Sequence, residues 1–166
     1  MNLIYRKGML EDLNEIELLV KNAITHMCSQ KIEQWDEIYP ARCDYEQDIK
    51  RNQLFLGLLG KEIAVVYTLN KEYEEEYKNG KWKKPELSFC IIHRLCVNPK
   101  FQNKGIGRQT MEHIEAEAVL NGQQAIRLDV YSQNPYAIKL YQSCGFEKVG
   151  IVEWRKGVFY LMEKYL

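Results

Sequence analysis

The sequence carries no excess of either charge. Lys plus Arg number 23 and Asp plus Glu number 23, so the formal net charge is zero. A general nucleic-acid or membrane-surface binder needs a basic surplus, so neither partner is expected; a local basic patch stays open. Long apolar runs are missing too. No stretch approaches the roughly 18 apolar residues of a membrane span. The opening Met1-Asn2-Leu3-Ile4-Tyr5-Arg6-Lys7 lacks the apolar run of a signal peptide. The five cysteines (Cys28, Cys43, Cys90, Cys96 and Cys144) are odd in number and include no C-x-x-C pair. That fits free thiols in a reducing compartment. No internal repeat and no Pro- or Ser-rich linker divides the chain. The expectation is one cytoplasmic globular domain over 1–166.

What is present suits such a domain. Of 166 residues, 46% are apolar, enough to bury a core without disulfide or metal staples. Leu3 to Arg6 reads as a first strand. From Leu10 to Met27, Leu13, Ile16, Val20, Ala23, Ile24 and Met27 fall on one helical stripe. Gln30 to Cys43 is a polar and aromatic connection. Asp44 to Arg51 reads as a short helix with Asp44 as its cap. Leu54–Leu59 and Glu62–Leu69 are β-rich runs joined by Gly60-Lys61, a hairpin signal. Lys71 to Lys84 mixes Glu74, Glu75 and Glu76 with lysines and with Tyr73, Tyr77 and Trp82. It reads either as a solvated excursion or as a flap over a ligand site.

Leu87 to Val97 is the longest strand candidate, and both its faces are largely apolar, as in a central strand. Alternation puts Phe89, Ile91, His93, Leu95 and Val97 on one face and Cys90, Ile92 and Cys96 on the other. A helix follows from about Gly105 to Leu120, then a strand Ala125–Val130. Another helix runs Pro135–Ser143, with Asn134 as cap and Gly145 as stop. Phe146–Val152 and Val158–Tyr165 close the chain as strands. The interleaving indicates an α/β or α+β sandwich.

Chemistry concentrates after the central strand, at Asn98-Pro99-Lys100-Phe101-Gln102-Asn103-Lys104-Gly105-Ile106-Gly107-Arg108. A glycine-containing turn that opens a helix presents backbone N–H groups and the positive end of a helix dipole, which is a phosphate cradle. A P-loop needs Lys-Ser or Lys-Thr after its glycines, and none is here. A dinucleotide fingerprint needs a third glycine where Thr110 stands, in a repeated βαβ unit. The pattern Gln/Arg-x-x-Gly-x-Gly/Ala is met by Gln102, Gly105 and Gly107. A second motif follows: Asn134-Pro135-Tyr136-Ala137-Ile138-Lys139-Leu140-Tyr141-Gln142-Ser143-Cys144-Gly145-Phe146 fits N-x-x-A-x-x-L-Y-x-x-x-G-F throughout.

Together, in this order, the two motifs resemble the GNAT superfamily of N-acetyltransferases, and the chain is identified as a small, single-domain, bacterial-type member. The match is strong over Leu87–Phe146. The resemblance implies a mixed, mostly antiparallel sheet of six or seven strands, with splayed central parallel strands and about four flanking helices. It implies that acetyl-CoA binds between Leu87–Val97 and Ala125–Val130. Backbone groups of Leu95 and Val97 would meet the thioester and pantetheine, and those of Gln102, Asn103, Lys104, Gly105, Ile106, Gly107 and Arg108 the pyrophosphate. The Asn134 amide would contact the pantetheine. The partner is an amine acceptor, a small molecule or a peptide, and a homodimer is compatible with the sequence. A binding-only acyl-CoA sensor or scaffold is the alternative.

Acetyl transfer to an amine needs a base for the ammonium and an acid for the departing thiolate. Tyr141 matches the family tyrosine and is the candidate acid, unless it is a core residue beside Phe146. His93, placed on the face of Leu95, is the candidate base, unless it is a satisfied core histidine. The glutamate that histone-acetylating members carry two residues earlier is replaced by Ile91. Trp35 and Tyr39 could wall the amine pocket, with Asp36 or Glu37 attracting its charge, or simply pin a loop. Cys90, His93 and Cys96 have metal-like spacing, but strand alternation turns His93 away from both cysteines, so no metal is expected. Cys96 and Cys144 read as small buried hydrophobes.

Overall fold

The chain first turns back on itself at the Gly60-Lys61 signal, where Leu59 pairs with Glu62 across a two-residue turn. In this computed structural model, which describes residues 2–166, the elements are β1 (Ile4–Lys7), α1 (Leu13–Ser29), α2 (Arg42–Lys50), β2 (Leu54–Leu59) and β3 (Glu62–Asn70). They continue as β4 (Phe89–Val97), α3 (Ile106–Leu120), β5 (Ala125–Tyr131), α4 (Pro135–Ser143), β6 (Glu147–Trp154) and β7 (Gly157–Tyr165). The seven strands form one sheet in the order β1-β2-β3-β4-β5-β7-β6. The β4–β5 pair is parallel; β1–β2, β2–β3, β5–β7 and β6–β7 are antiparallel. The expected fold class is therefore the observed one.

The chain forms two compact units, residues 1–69 with 94–110 and residues 70–93 with 111–166. In the first, the helical stripe does what its spacing dictates. Leu13, Ile16, Val20 and Ala23 are buried with Trp35, Tyr45, Ile49, Leu54, Leu56, Ile63, Val66 and Cys96, while Ile24 and Met27 pack at the margin. Each such aliphatic side chain contributes about 1.5–3 kcal/mol by leaving water. Just before α1, the Asp12 carboxylate accepts from the Met9 N–H at 2.7 Å and from both terminal nitrogens of the Arg6 guanidinium at 2.8 Å. The Arg6 bonds hold the Asp12 carboxyl below its usual range. Asp44 does not cap α2 as expected. The helix begins at Arg42, and Asp44 reaches back one turn to accept from the Ala41 N–H at 2.7 Å.

In the second unit, the segment between β3 and β4 is a strap on the sheet rather than a solvated excursion. Tyr77 is 3% exposed and stacks on Tyr73, Trp82 and Trp154. The Trp82 indole donates to the Tyr77 carbonyl at 2.8 Å, and Lys81 N–H donates to Val149 O at 2.8 Å. The Arg127 guanidinium lies over the Trp82 and Phe89 rings, 4.2 and 3.9 Å from their centres. Alternating tyrosines and a tryptophan supply the apolar face; the glutamates and lysines between them keep the outer face wet. Lys83 accordingly pairs with Glu147, and Lys78 with Glu75.

Candidate active site

The first unit carries the glycine-containing loop. Its entrance is pinned by Asn98, whose N–H donates to Ala64 O at 2.9 Å and whose amide donates to Ile63 O at 3.0 Å. A single 3-10 turn, Pro99–Phe101, buries the Phe101 ring and leads into Gln102. The Gln102 side chain folds back to donate to Val97 O at 3.3 Å. Asn103 and Gly105 are left-handed, with φ of 59° and 79°. A Cβ built on Gly105 would meet nothing within 4 Å, so the backbone there faces open space. Gln109 N–H donates to Gly105 O at 3.0 Å. The N–H groups of Ile106, Gly107 and Arg108 precede that bond and point out of the helix end, with the dipole's positive pole. Lys104 and Arg108 are exposed beside them. The loop thus fits a pyrophosphate.

Leu95 and Val97 are half-buried on the last stretch of β4. The β4–β5 register runs only from Phe89–Ala125 to Ile92–Leu128, while β4 continues to Val97. In that continuation Arg94 is left-handed, with φ of 51°. A left-handed residue breaks the pleat, as in a β-bulge, so alternation no longer places His93 and Leu95 on one face. Arg94 is held by its side chain. Nε and Nη2 reach Asp48 Oδ2 at 3.0 and 2.5 Å, and Nη1 reaches the Tyr39 hydroxyl at 3.0 Å. Thr68 donates to the same Asp48 oxygen at 2.8 Å.

In the second unit, His93 is the first β4 residue beyond the β4–β5 register. Its Nε2 lies 2.8 Å from Asn70 Oδ1, which also accepts from the Glu72 N–H at 2.9 Å. The backbone donor identifies that atom as the amide oxygen, so His93 donates from Nε2. A neutral His93 therefore carries its lone pair on Nδ1. On β5 the next residue after the register is Asp129, half-buried, and Tyr77 donates to its Oδ2 at 2.6 Å. Sequence reasoning missed Asp129 and Asn70. The available signal was alternation along β5, which sets Arg127, Asp129 and Tyr131 on one face. Asn134 caps α4, its Oδ1 accepting from the Ala137 N–H at 3.1 Å. Tyr141 is 8% exposed, with its ring 6.0 Å from that of Phe146.

The expected acceptor walls divide. Trp35 is buried in the first unit's core, where it is a packing anchor. Tyr39 is exposed and bound to Arg94. A cavity of about 430 Å³ in this unit is lined by Asp36, Glu37, Glu17, Lys21, Arg42 and Tyr45 among others. Asp36 is also spent locally, accepting from the Ile38 and Tyr39 N–H groups. Cys96 and Cys90 are buried, but Cys144 is only half-buried. Among the described residues no group of three or more His, Cys, Asp or Glu could hold a metal ion, and no helix is long and apolar enough to cross a membrane.

The sequence pattern of the acetyltransferase (GNAT) family matches residues 21–146, and the chain belongs to that family. It is 37% identical over 65 residues to the ribosomal protein bS18-alanine N-acetyltransferase of Salmonella typhimurium, a stretch covering 39% of this chain and 44% of that one. It is 31% identical over 91 residues to the spermine/spermidine N(1)-acetyltransferase of Bacillus subtilis, covering 54% of each. The chain thus spans about half the length, or less, of these relatives. A GNAT-family acetyltransferase structure from Streptococcus agalactiae superposes with a TM-score of 0.86 at 20% identity, covering 99% of this chain and 95% of that one.

Proposed function

We propose that this chain transfers an acetyl group from acetyl-CoA to a primary amine by direct attack, with both substrates bound at once and no acyl-enzyme. The observation that carries this reading is the Gln102–Arg108 loop. It opens α3 with an exposed, left-handed Gly105 whose Cβ position meets nothing within 4 Å, in a member of the acetyltransferase family. Its N–H groups bind the pyrophosphate. Asn134 commits Oδ1 to its cap, so it meets the pantetheine through Nδ2, as a donor to a carbonyl.

An alkylammonium has an ordinary pKa near about 10, so the acceptor arrives protonated. His93 takes that proton on Nδ1, directly or through water, because Nε2 is engaged by Asn70. The freed amine attacks the thioester carbonyl, and the Leu95 N–H steadies the oxygen as it gains charge. The departing thiolate, with a conjugate pKa near about 8.5 by analogy with cysteine, takes a proton from Tyr141, and the phenolate regains one from the nitrogen as it becomes an amide.

The two relatives are named for an alanine of ribosomal protein bS18 and for spermine and spermidine. A peptide N-terminus and a polyamine are therefore the first acceptors to try. We place the enzyme in the cytoplasm as a single domain, a setting in which its free thiols persist. A thiol-release assay with acetyl-CoA across alanyl peptides, polyamines and other amines tests the activity. Amine-dependent CoA release is expected. Tight CoA binding with no release on any amine would leave only the sensor reading.

A further inference from the structure

The strap between β3 and β4 touches the site at two points, both within the second unit. At its root, Asn70 accepts from the His93 Nε2 with the same oxygen that accepts from the Glu72 N–H. At its middle, the Tyr77 hydroxyl donates to Asp129 at 2.6 Å. His93 and Asp129 each come next after the last registered pair of β4 and β5, Ile92–Leu128. Alternation sets His93 on the face of Ile91, and Asp129 on the face of Arg127, and Ile91 and Arg127 are themselves partners. Each ionisable residue thus continues the same sheet face one position past the last pair, and one segment bonds to both.

We propose that the strap is a positioning element for the amine acceptor: Asn70 orients His93 as a base, and Tyr77 orients Asp129 to receive the acceptor's ammonium before deprotonation. This deepens the acetyltransferase reading and rests on it. A carboxylate beside the base has a physical use there. It attracts the cationic acceptor and can hold it through one charge-assisted hydrogen bond while the proton leaves. A phenol donor on one carboxylate oxygen fixes the group's rotation and leaves the geometry of the other defined. The strap has the rigidity this requires, because Tyr77 is stacked among Tyr73, Trp82 and Trp154. Arg127 also clamps it, lying over Trp82 from below.

The test is a double-mutant cycle. Tyr77→Phe keeps the stacked ring and removes only the donor. It is expected to lower kcat/KM for the amine about tenfold, the scale of a lost hydrogen bond to a charged group, with KM for acetyl-CoA and the melting temperature unchanged. Asp129→Asn is expected to lower it further, and the double variant to be no worse than Asp129→Asn alone. Additive losses, or an unchanged amine kcat/KM in Tyr77→Phe, would overturn the proposal. A second arm needs no turnover. Histidine nitrogen NMR should find His93 in the Nε2–H tautomer, and Asn70→Ala should shift it toward a mixture. A tautomer indifferent to Asn70 also overturns the proposal. A wild-type enzyme inert toward every amine would instead remove the acetyltransferase reading, with the NMR arm still deciding how the strap holds His93.

Discussion

The Arg94 guanidinium closes on the Asp48 carboxylate, with Nη2 at 2.5 Å and Nε at 3.0 Å from one oxygen. The two side chains are only 14% and 7% exposed. This pair holds a non-glycine residue in the left-handed region, a conformation that costs on the order of 1–3 kcal/mol. It does so one residue from His93 and one from Leu95. Arg94→Ala leaves the Asp48 charge buried and uncompensated. A loss of about 3 kcal/mol in unfolding free energy is expected. Urea denaturation measures it, and a loss below about 1 kcal/mol would show the pair to be no more than a surface contact.

Gly105 is exposed in the glycine-containing loop, and its φ of 79° disfavours any Cβ. Gly105→Val is expected to destabilise the loop by about 1–2 kcal/mol and to put a branched side chain into the proposed pyrophosphate position. Calorimetric titration with CoA should find binding weakened by about an order of magnitude or more. Undiminished affinity would remove the loop from the cofactor site.

Tyr141 and His93 separate by kinetics. Tyr141→Phe keeps the ring against Phe146 and removes the proposed acid, so kcat should fall about 100-fold or more while KM for acetyl-CoA holds. An unaltered kcat would leave Tyr141 as a core residue. For His93 the readout is pH. His93→Ala should abolish the acidic limb of the kcat/KM profile, and a variant that keeps that limb shows another group to be the base.

The thiols rank by burial. Cys28 and Cys43 are exposed. Desolvation pushes Cys90 up to about 11 and Cys96 up to about 12 from an ordinary value of 9.0. Iodoacetamide at neutral pH should label Cys28 and Cys43 in the folded protein and spare Cys90 and Cys96; mass spectrometry of digests reads this directly. Because these two folded-state values are raised, the stability they contribute is complete below pH 9.0. It is lost as pH climbs through the folded values. Equal labelling of all five thiols would mean that the fold opens at β4.

Much of the fold was legible because its signals are local. The α1 stripe, the Gly60-Lys61 turn, the Asn134 cap and the strand–loop–helix around Gly105 each depend on residues within a turn or two of one another. Element ends slipped by one to three residues, and at α2 a side chain chose a different local bond. Asp44 reads as a cap, yet it bonds backward to Ala41 from inside the helix. Trp35 and Tyr39 look alike in sequence as aromatic loop residues. One became core and the other a surface partner of Arg94, a choice made by whichever ring could reach the α1 and β2 apolar face.

The two motifs identified in the chain, Gln102–Gly107 and Asn134–Phe146, therefore already carried its family. Short spacings are enough to build a helix N-terminus and a cap. Which charged and polar groups meet was decided only by the tertiary structure. Arginine has no intrinsic left-handed preference, so nothing local announces the break at Arg94; Asp48 imposes it from 46 residues away. Likewise Tyr77 finds Asp129 across 52 residues, and Asn70 finds His93 across 23. Those pairings depend on how a helix, a long connection and two strands pack together, and that packing is a property of the assembled fold.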